Sequence, residues 1–370
     1  MSKKLHLVSF DVPYPPNYGG VIDVFYKIKA LHSLGIKIYL HCFEYGKEEQ
    51  PELDNYCKKV FYYPRNSFFK SYLSTTPFIV KTRENKTLIF NLKAIVAPVL
   101  FEGLHTTAAL LSTTFPNQKI GVRAHNIEHN FYKGLAKSEE NLFKKTFFYQ
   151  EAEKLKKHEK ILKKAAVIFT ISPFEQSYFL STYGKKSVYI PAFHQVVHKK
   201  NEQTKGKFIL YHGNLNVSEN VHAALFLIDI YKDSEYHFMI ASSFQNKKIS
   251  TEISKHQNIS FSIINNQTDL ENLFKNAHIN VLPTFQKTGI KLKLLNTLYQ
   301  GKFIICNNYM IEDTGLEALV EKANTTEEFL QKTTLLFQEN FTQEMVENRI
   351  KILQNFSPEE SAKKIIEHLL

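Results

Sequence analysis

Residues 4–43 read KLHLVSFDVPYPPNYGGVIDVFYKIKALHSLGIKIYLHCF, and this stretch decides the fold class. Leu5 to Phe10 is a short apolar-leaning run suited to a buried strand, and Val21 to Leu34 has helical spacing that Gly35 ends. Lys37 to Phe43 restarts the strand pattern. Strand, helix and strand in so short a span predict a parallel pair joined by a crossover helix.

The same alternation continues outward. Further strands are expected at Val60 to Tyr63, Val99 to Phe101, Ile120 to Ala124, Val167 to Ile171 and Val188 to Ile190. A polar, lysine-rich stretch from His198 to Lys207 has no apolar period and reads as a linker. The pattern then resumes with Phe208 to His212, a helix over Glu219 to Tyr231, His237 to Ala241, Ile259 to Ile264, Ile279 to Pro283, a helix from Ile290, and Phe303 to Cys306. Only helical spacing follows, and it ends in a helix from Pro358 to Leu370. The expected organisation is an α/β domain over residues 1–197, a linker over 198–207, a second α/β domain over 208–355 and a closing helix over 356–370. Two such domains predict a ligand-binding cleft between them.

Composition excludes several classes. With 43% hydrophobic residues, 30 Phe and 19 Tyr in 370 residues, the chain cannot remain solvated and disordered. Three scattered cysteines, Cys42, Cys57 and Cys306, make neither a disulfide framework nor a zinc knuckle and fit a reducing, cytoplasmic setting. Neither a signal peptide nor a window of eighteen apolar residues can be read in the chain. The net charge of +11 suits an anionic substrate or an anionic membrane surface. Nucleic acid is not expected, because no binding module accompanies the charge.

Four segments could carry chemistry. Gly19 and Gly20 lie between the first strand and helix, where backbone N–H groups could meet a phosphate; a tight turn without ligand would need the same residues. Arg123-Ala124-His125-Asn126-Ile127-Glu128-His129 directly follows a strand, and its H-x-x-E-H pattern matches a zinc-peptidase motif. A strand's carboxyl end more often carries ligand-binding groups, and His105 would face the same cleft. Asn141 to Ala166 reads as a helix with apolar positions Phe148, Ala152, Leu155, Leu162 and Ala166. Its lysines, with Phe143 and Tyr149, describe either a solvated face or, over Phe143 to Lys164, a membrane-surface contact. Finally, Gly213-Asn214 ends the second domain's first strand, and Lys291 and Lys293 fall in a later helix's first turn. The helix dipole disfavours cations there unless an anion such as a diphosphate is bound.

In order and spacing these segments resemble glycosyltransferase family 4, and the resemblance runs through nearly the whole chain. It implies the GT-B fold, two Rossmann-like α/β domains facing a central cleft, with the final helix returning toward the first domain. It implies a nucleotide-sugar donor, a glycan or lipid-linked glycan acceptor, retention of configuration, and no metal or other cofactor. His125 would be catalytic. Gly19, Gly20, Gly213, Asn214, Thr288, Gly289, Ile290, Lys291, Lys293 and Asn296 would hold the donor, and Tyr18, His105, Arg123 and Asn126 would lie on the acceptor side. The chain departs from the family where Thr288 and Asn296 stand in place of two glutamates, and where Asn214 and Glu219 stand in place of an Arg and a Lys. An inactive glycosyltransferase-like binding protein, and a zinc hydrolase built on His125, Glu128 and His129, are the rival expectations.

Overall fold

The computed structural model describes residues 3–16, 19–67, 71–72, 74–139, 141–196, 205–285 and 292–370. The expected positions Tyr18, Thr288, Gly289, Ile290 and Lys291, and most of the expected linker, lie outside the described residues. The chain forms two compact units, one of Met1–His194 with Phe356–Leu370, the other of Gln195–Lys287 with Lys291–Asn355.

The first unit is a parallel sheet of seven strands: β1 (Lys4–Ser9), β2 (Lys37–Glu44), β3 (Lys59–Pro64), β4 (Val99–Glu102), β5 (Ile120–Ala124), β6 (Val167–Thr170) and β7 (Ser187–Tyr189). Their spatial order is β3-β2-β1-β4-β5-β6-β7, so the winding reverses between β1 and β4. Helices cover the sheet. Of these, α1 (Gly19–Ser33), α2 (Glu128–Ser138) and α3 (Leu142–His158) bear on the site. In the second unit the strands β8 (Phe208–His212), β9 (Phe238–Ser242), β10 (Ile259–Ile263), β11 (Ala277–Leu282), β12 (Phe303–Cys306) and β13 (Glu321–Lys322) run in the order β10-β9-β8-β11-β12-β13. There the reversal falls between β8 and β11, flanked by α4 (Ser218–Tyr231) and α5 (Leu292–Gln300). In an open parallel sheet such a reversal splays two loops apart at the strands' carboxyl ends and opens a crevice.

Strands buried on both faces need apolar residues throughout, which is why these runs were legible. The closing helix α6 (Pro358–Leu369) packs on α1, burying Ala362, Ile365 and Leu369 in one cluster with Leu5, Val21 and Ile28. The expected single helix over 141–166 is corrected: α3 ends at His158 and a 3-10 turn, Glu159–Lys164, follows. Ala165 is already extended, and in the run into β6 it is buried while Ala166 is exposed.

A polar ladder crosses the buried edge of the first sheet. The Ile95 carbonyl can only accept, so His6 Nε2 donates to it at 2.8 Å, leaving His6 Nδ1 to accept from His41 Nε2 at 2.9 Å. His41 Nδ1 then accepts from the Tyr63 hydroxyl at 2.9 Å, and that oxygen accepts from Asn91 Nδ2 at 2.8 Å. Every link requires neutral imidazoles. Burial pushes both histidines below the ordinary value, and for His41 the proximity of His6 adds to it. A group whose folded pKa is depressed binds more protons when unfolded, so its stabilisation is present above about pH 6.5 and is lost as pH falls toward the folded value. Denaturation midpoints should therefore decline below about pH 6.5, and the decline should be shallower in a His6→Gln/His41→Gln variant. An identical slope in the two proteins would remove the ladder from this account.

Candidate functional site

In the first unit, the residues beside the β1/β4 reversal form a buried ionic chain. Asp23 and Lys27 stand one turn apart on α1, Glu102 ends β4, and Arg123 and His125 lie at the end of β5; the first four are fully buried and His125 is nearly so. Lys27 Nζ donates to Glu102 Oε1 and Oε2 at 2.7 and 2.8 Å and to Asp23 Oδ2 at 2.9 Å. Arg123 Nε and Nη2 donate to Asp23 at 3.3 and 3.1 Å. Its remaining hydrogens go to the carbonyls of Thr170, Ile190 and Pro191 at 3.1, 2.7 and 3.0 Å. Burial would raise both carboxyls, but the adjacent cations outweigh it, holding Asp23 far below and Glu102 below the ordinary range.

Arg123 is thus a correction. Expected on the acceptor side, it has all five donors committed inside the protein and nothing left for a ligand. His125 differs. Its Nε2 lies 3.0 Å from Glu102 Oε2, its ring meets Phe10 edge-on with centroids 5.6 Å apart, and its buried Nδ1 has no hydrogen-bond partner among the described residues. The aromatic wall explains Gly20 as well. A Cβ there would come within 2.6 Å of Phe10 Cζ and would have to displace that ring, so packing by itself favours glycine at this position.

The H-x-x-E-H residues do not converge as zinc ligands. While His125 turns to Glu102, His129 Nδ1 faces Glu159 Oε2 at 3.2 Å and Glu128 Oε1 faces His105 Nδ1 at 3.9 Å. Burial pushes the Glu128 carboxyl up to about 8, the opposite of what a metal ligand needs, and Asn126 hydrogen-bonds it. Asp23, Glu102 and His125 do bring ligand atoms within 4.8 Å of one another. The Lys27 ammonium already bridges the two carboxylates, so these donors do not fit a cation. On the surface, Leu142 and Phe143 at the start of α3 are 75% and 90% exposed beside Lys144, which gives that basic helix an apolar tip. Among the described residues no helix is long and apolar enough to cross a membrane.

In the second unit the end of β8 carries a cation. Lys293, in the first turn of α5, donates to Asn220 Oδ1 at 2.9 Å and stands 4.8 Å over the Tyr211 ring. Asn220 in turn donates to the Asn214 carbonyl at 2.9 Å, fixing the Gly213-Asn214 turn. A Cβ on Gly213 would lie 3.0 Å from Lys293 Nζ, so the missing side chain leaves the ammonium its place against the backbone. Burial, helped by Lys293, pushes the neighbouring His212 down to about 3. Glu219, where the family has Lys, accepts from Thr284 Oγ1 and from Phe285 N–H at 3.3 Å and so braces the segment after β11. Asn296 accepts from Gln300 at 2.5 Å, and the Asn214 side chain caps its own turn through Asn216 N–H at 2.9 Å.

No family model matches the chain. A curated relative, an uncharacterized 44.6 kDa protein in the cps region of Klebsiella pneumoniae, is 25% identical over 340 residues, covering 84% of each chain. Among solved structures, a glycosyltransferase from Rickettsia africae superposes with a TM-score of 0.65 at 15% identity, covering 99% of this chain and 97% of its own. TarM of S. aureus, solved in complex with UDP, α-GlcNAc-glycerol and fondaparinux, gives 0.67 at 10% identity over 99% of both chains. The chain has the GT-B fold. Within a GT-B chain, Gly213 and Lys293 lie at the winding reversal of one Rossmann-like unit and His125 beside that of the other. Asp23, Lys27, Glu102, Tyr211 and Asn220, which were not among the expected site residues, complete these two clusters.

Proposed function

We propose that this protein is a glycosyltransferase moving a sugar from a nucleotide-sugar donor to a glycan or lipid-linked glycan acceptor, with retention and without a metal. The observation that carries the reading is the Lys293 ammonium held against the Gly213 turn, a cation beside a glycine at a Rossmann-type reversal. In the transfer, the bond from the anomeric carbon to the β-phosphate oxygen breaks and its electron pair leaves with the diphosphate. A bond forms from the same carbon to an acceptor hydroxyl, whose proton passes to the departing phosphate. Lys293 would lower the energy of the charge that develops on the diphosphate, the task a metal performs elsewhere. The UDP in the S. aureus TarM complex and the cps-region setting of the Klebsiella relative support the reading.

A thermal-shift screen tests it. UDP, GDP and their sugar conjugates are added to the purified chain, and one nucleotide class should raise the melting temperature, because a ligand of the native state alone stabilises it by mass action. Lys293→Ala should abolish most of that rise. If no nucleotide or nucleotide sugar shifts melting, the donor assignment fails; if one does but no acceptor is ever glycosylated, the chain is a binding protein.

A further inference from the structure

Among the described residues, His125 is held by a hydrogen bond from one side only. A carboxylate such as Glu102 has no hydrogen to give, so the 3.0 Å contact requires that Nε2 carry the proton and donate. A neutral imidazole with Nε2–H has a bare Nδ1, and that nitrogen is the buried atom without a partner among the described residues. The choice is reinforced from behind. Both Glu102 oxygens are pinned by Lys27, whose ammonium is pinned by Asp23, whose carboxylate is pinned by Arg123 and by the Phe193 N–H at 2.8 Å. Neither Glu102 nor the imidazole can turn without breaking this chain.

The groups facing His125 are Glu102 on β4, Asp23 and Lys27 on α1, Phe10 beyond β1 and His105 after β4. Burial, then the positive charge of Arg83 and the nearness of His125, keep the His105 imidazole well below its ordinary pKa.

We infer that Glu102, locked by Lys27, is a positioning residue that fixes His125 as a hydrogen-bond acceptor, so that the group it takes from the substrate is a hydroxyl hydrogen and not a phosphate oxygen. This rests on the glycosyltransferase reading for the identity of the substrate, since a sugar supplies hydroxyls in quantity. It refines the role of His125. A bare nitrogen cannot steady an oxyanion; it orients a hydroxyl of the sugar.

The test reads the tautomer directly and needs no ligand. In protein labelled with ¹⁵N-histidine, at mildly alkaline pH where an ordinary imidazole is neutral, the His125 resonances, assigned by their loss in His125→Gln, should show a protonated Nε2 and a bare Nδ1. Glu102→Gln should reverse this. The amide oxygen stays on Lys27 and its NH₂ faces Nε2, which makes Nε2 the acceptor and moves the proton to Nδ1. Lys27→Met, which leaves Glu102 charged and still without a hydrogen to give, should keep the Nε2–H tautomer. A wild-type Nδ1–H, or a tautomer unmoved by Glu102→Gln in a protein with an otherwise native spectrum, overturns the inference. Absence of any nucleotide-sugar binding would count against the transferase reading and leave this spectrum unaffected.

Discussion

Arg123→Met should lower the stability of the first unit by about 3–5 kcal/mol, the range for removing one partner of a buried ion pair. Five hydrogen bonds vanish together. The carbonyls of Ile190 and Pro191 lose their donor, that of Thr170 is left with the Ile190 N–H alone, and Asp23 keeps Lys27 and the Phe193 N–H against full burial. Arg123→Lys should recover little, since one ammonium cannot reach a planar arrangement of five acceptors. Urea denaturation followed by circular dichroism would measure the change, read as a fall in midpoint with the slope preserved. A loss below about 1 kcal/mol in Arg123→Met would mean that the network is no stronger than an exposed pair.

His125→Ala should reduce sugar transfer by roughly 10² or more, the scale for losing a preorganised contact made in the transition state. It should leave nucleoside diphosphate affinity near the wild-type value, because a bare Nδ1 has nothing to offer a phosphate. Lys293→Ala should behave in the opposite way. The contact it removes is with the diphosphate, common to product and donor, so both should bind more weakly by a similar factor. Calorimetric titration of the nucleotide class identified by thermal shift, alongside initial rates, separates the two patterns. Equal losses of diphosphate affinity in the two variants would merge the roles assigned here.

Much of this architecture could be read from residue order. Parallel strands buried on both faces appear as apolar runs such as Ile120 to Ala124, and Gly35 marks the end of α1 with a φ of 78°. The sites were only half legible. A charged residue at a strand end looks ligand-facing, and nothing local reveals that Arg123 meets Asp23, a hundred positions earlier, and three carbonyls from two other segments. Asp23 and Lys27 did carry a signal: their four-residue spacing inside an apolar helix brings opposite charges onto one buried face. The Lys293 position in the first turn of a helix was visible. Its path to Gly213 depends on the sheet order, which places β8 beside β11 and which no neighbouring residue encodes.

The closing helix has a consequence for how the molecule is made. Ala362, Ile365 and Leu369 fill the groove over Leu5, Val21 and Ile28, so β1 and α1 must wait for α6, which follows the second unit in the chain, before their core is whole. The second unit lies in sequence between those two parts, so until α6 has been made the first unit keeps an apolar seam open to solvent. A core whose two parts are separated in sequence by the whole of the other unit is completed only after that unit has been made.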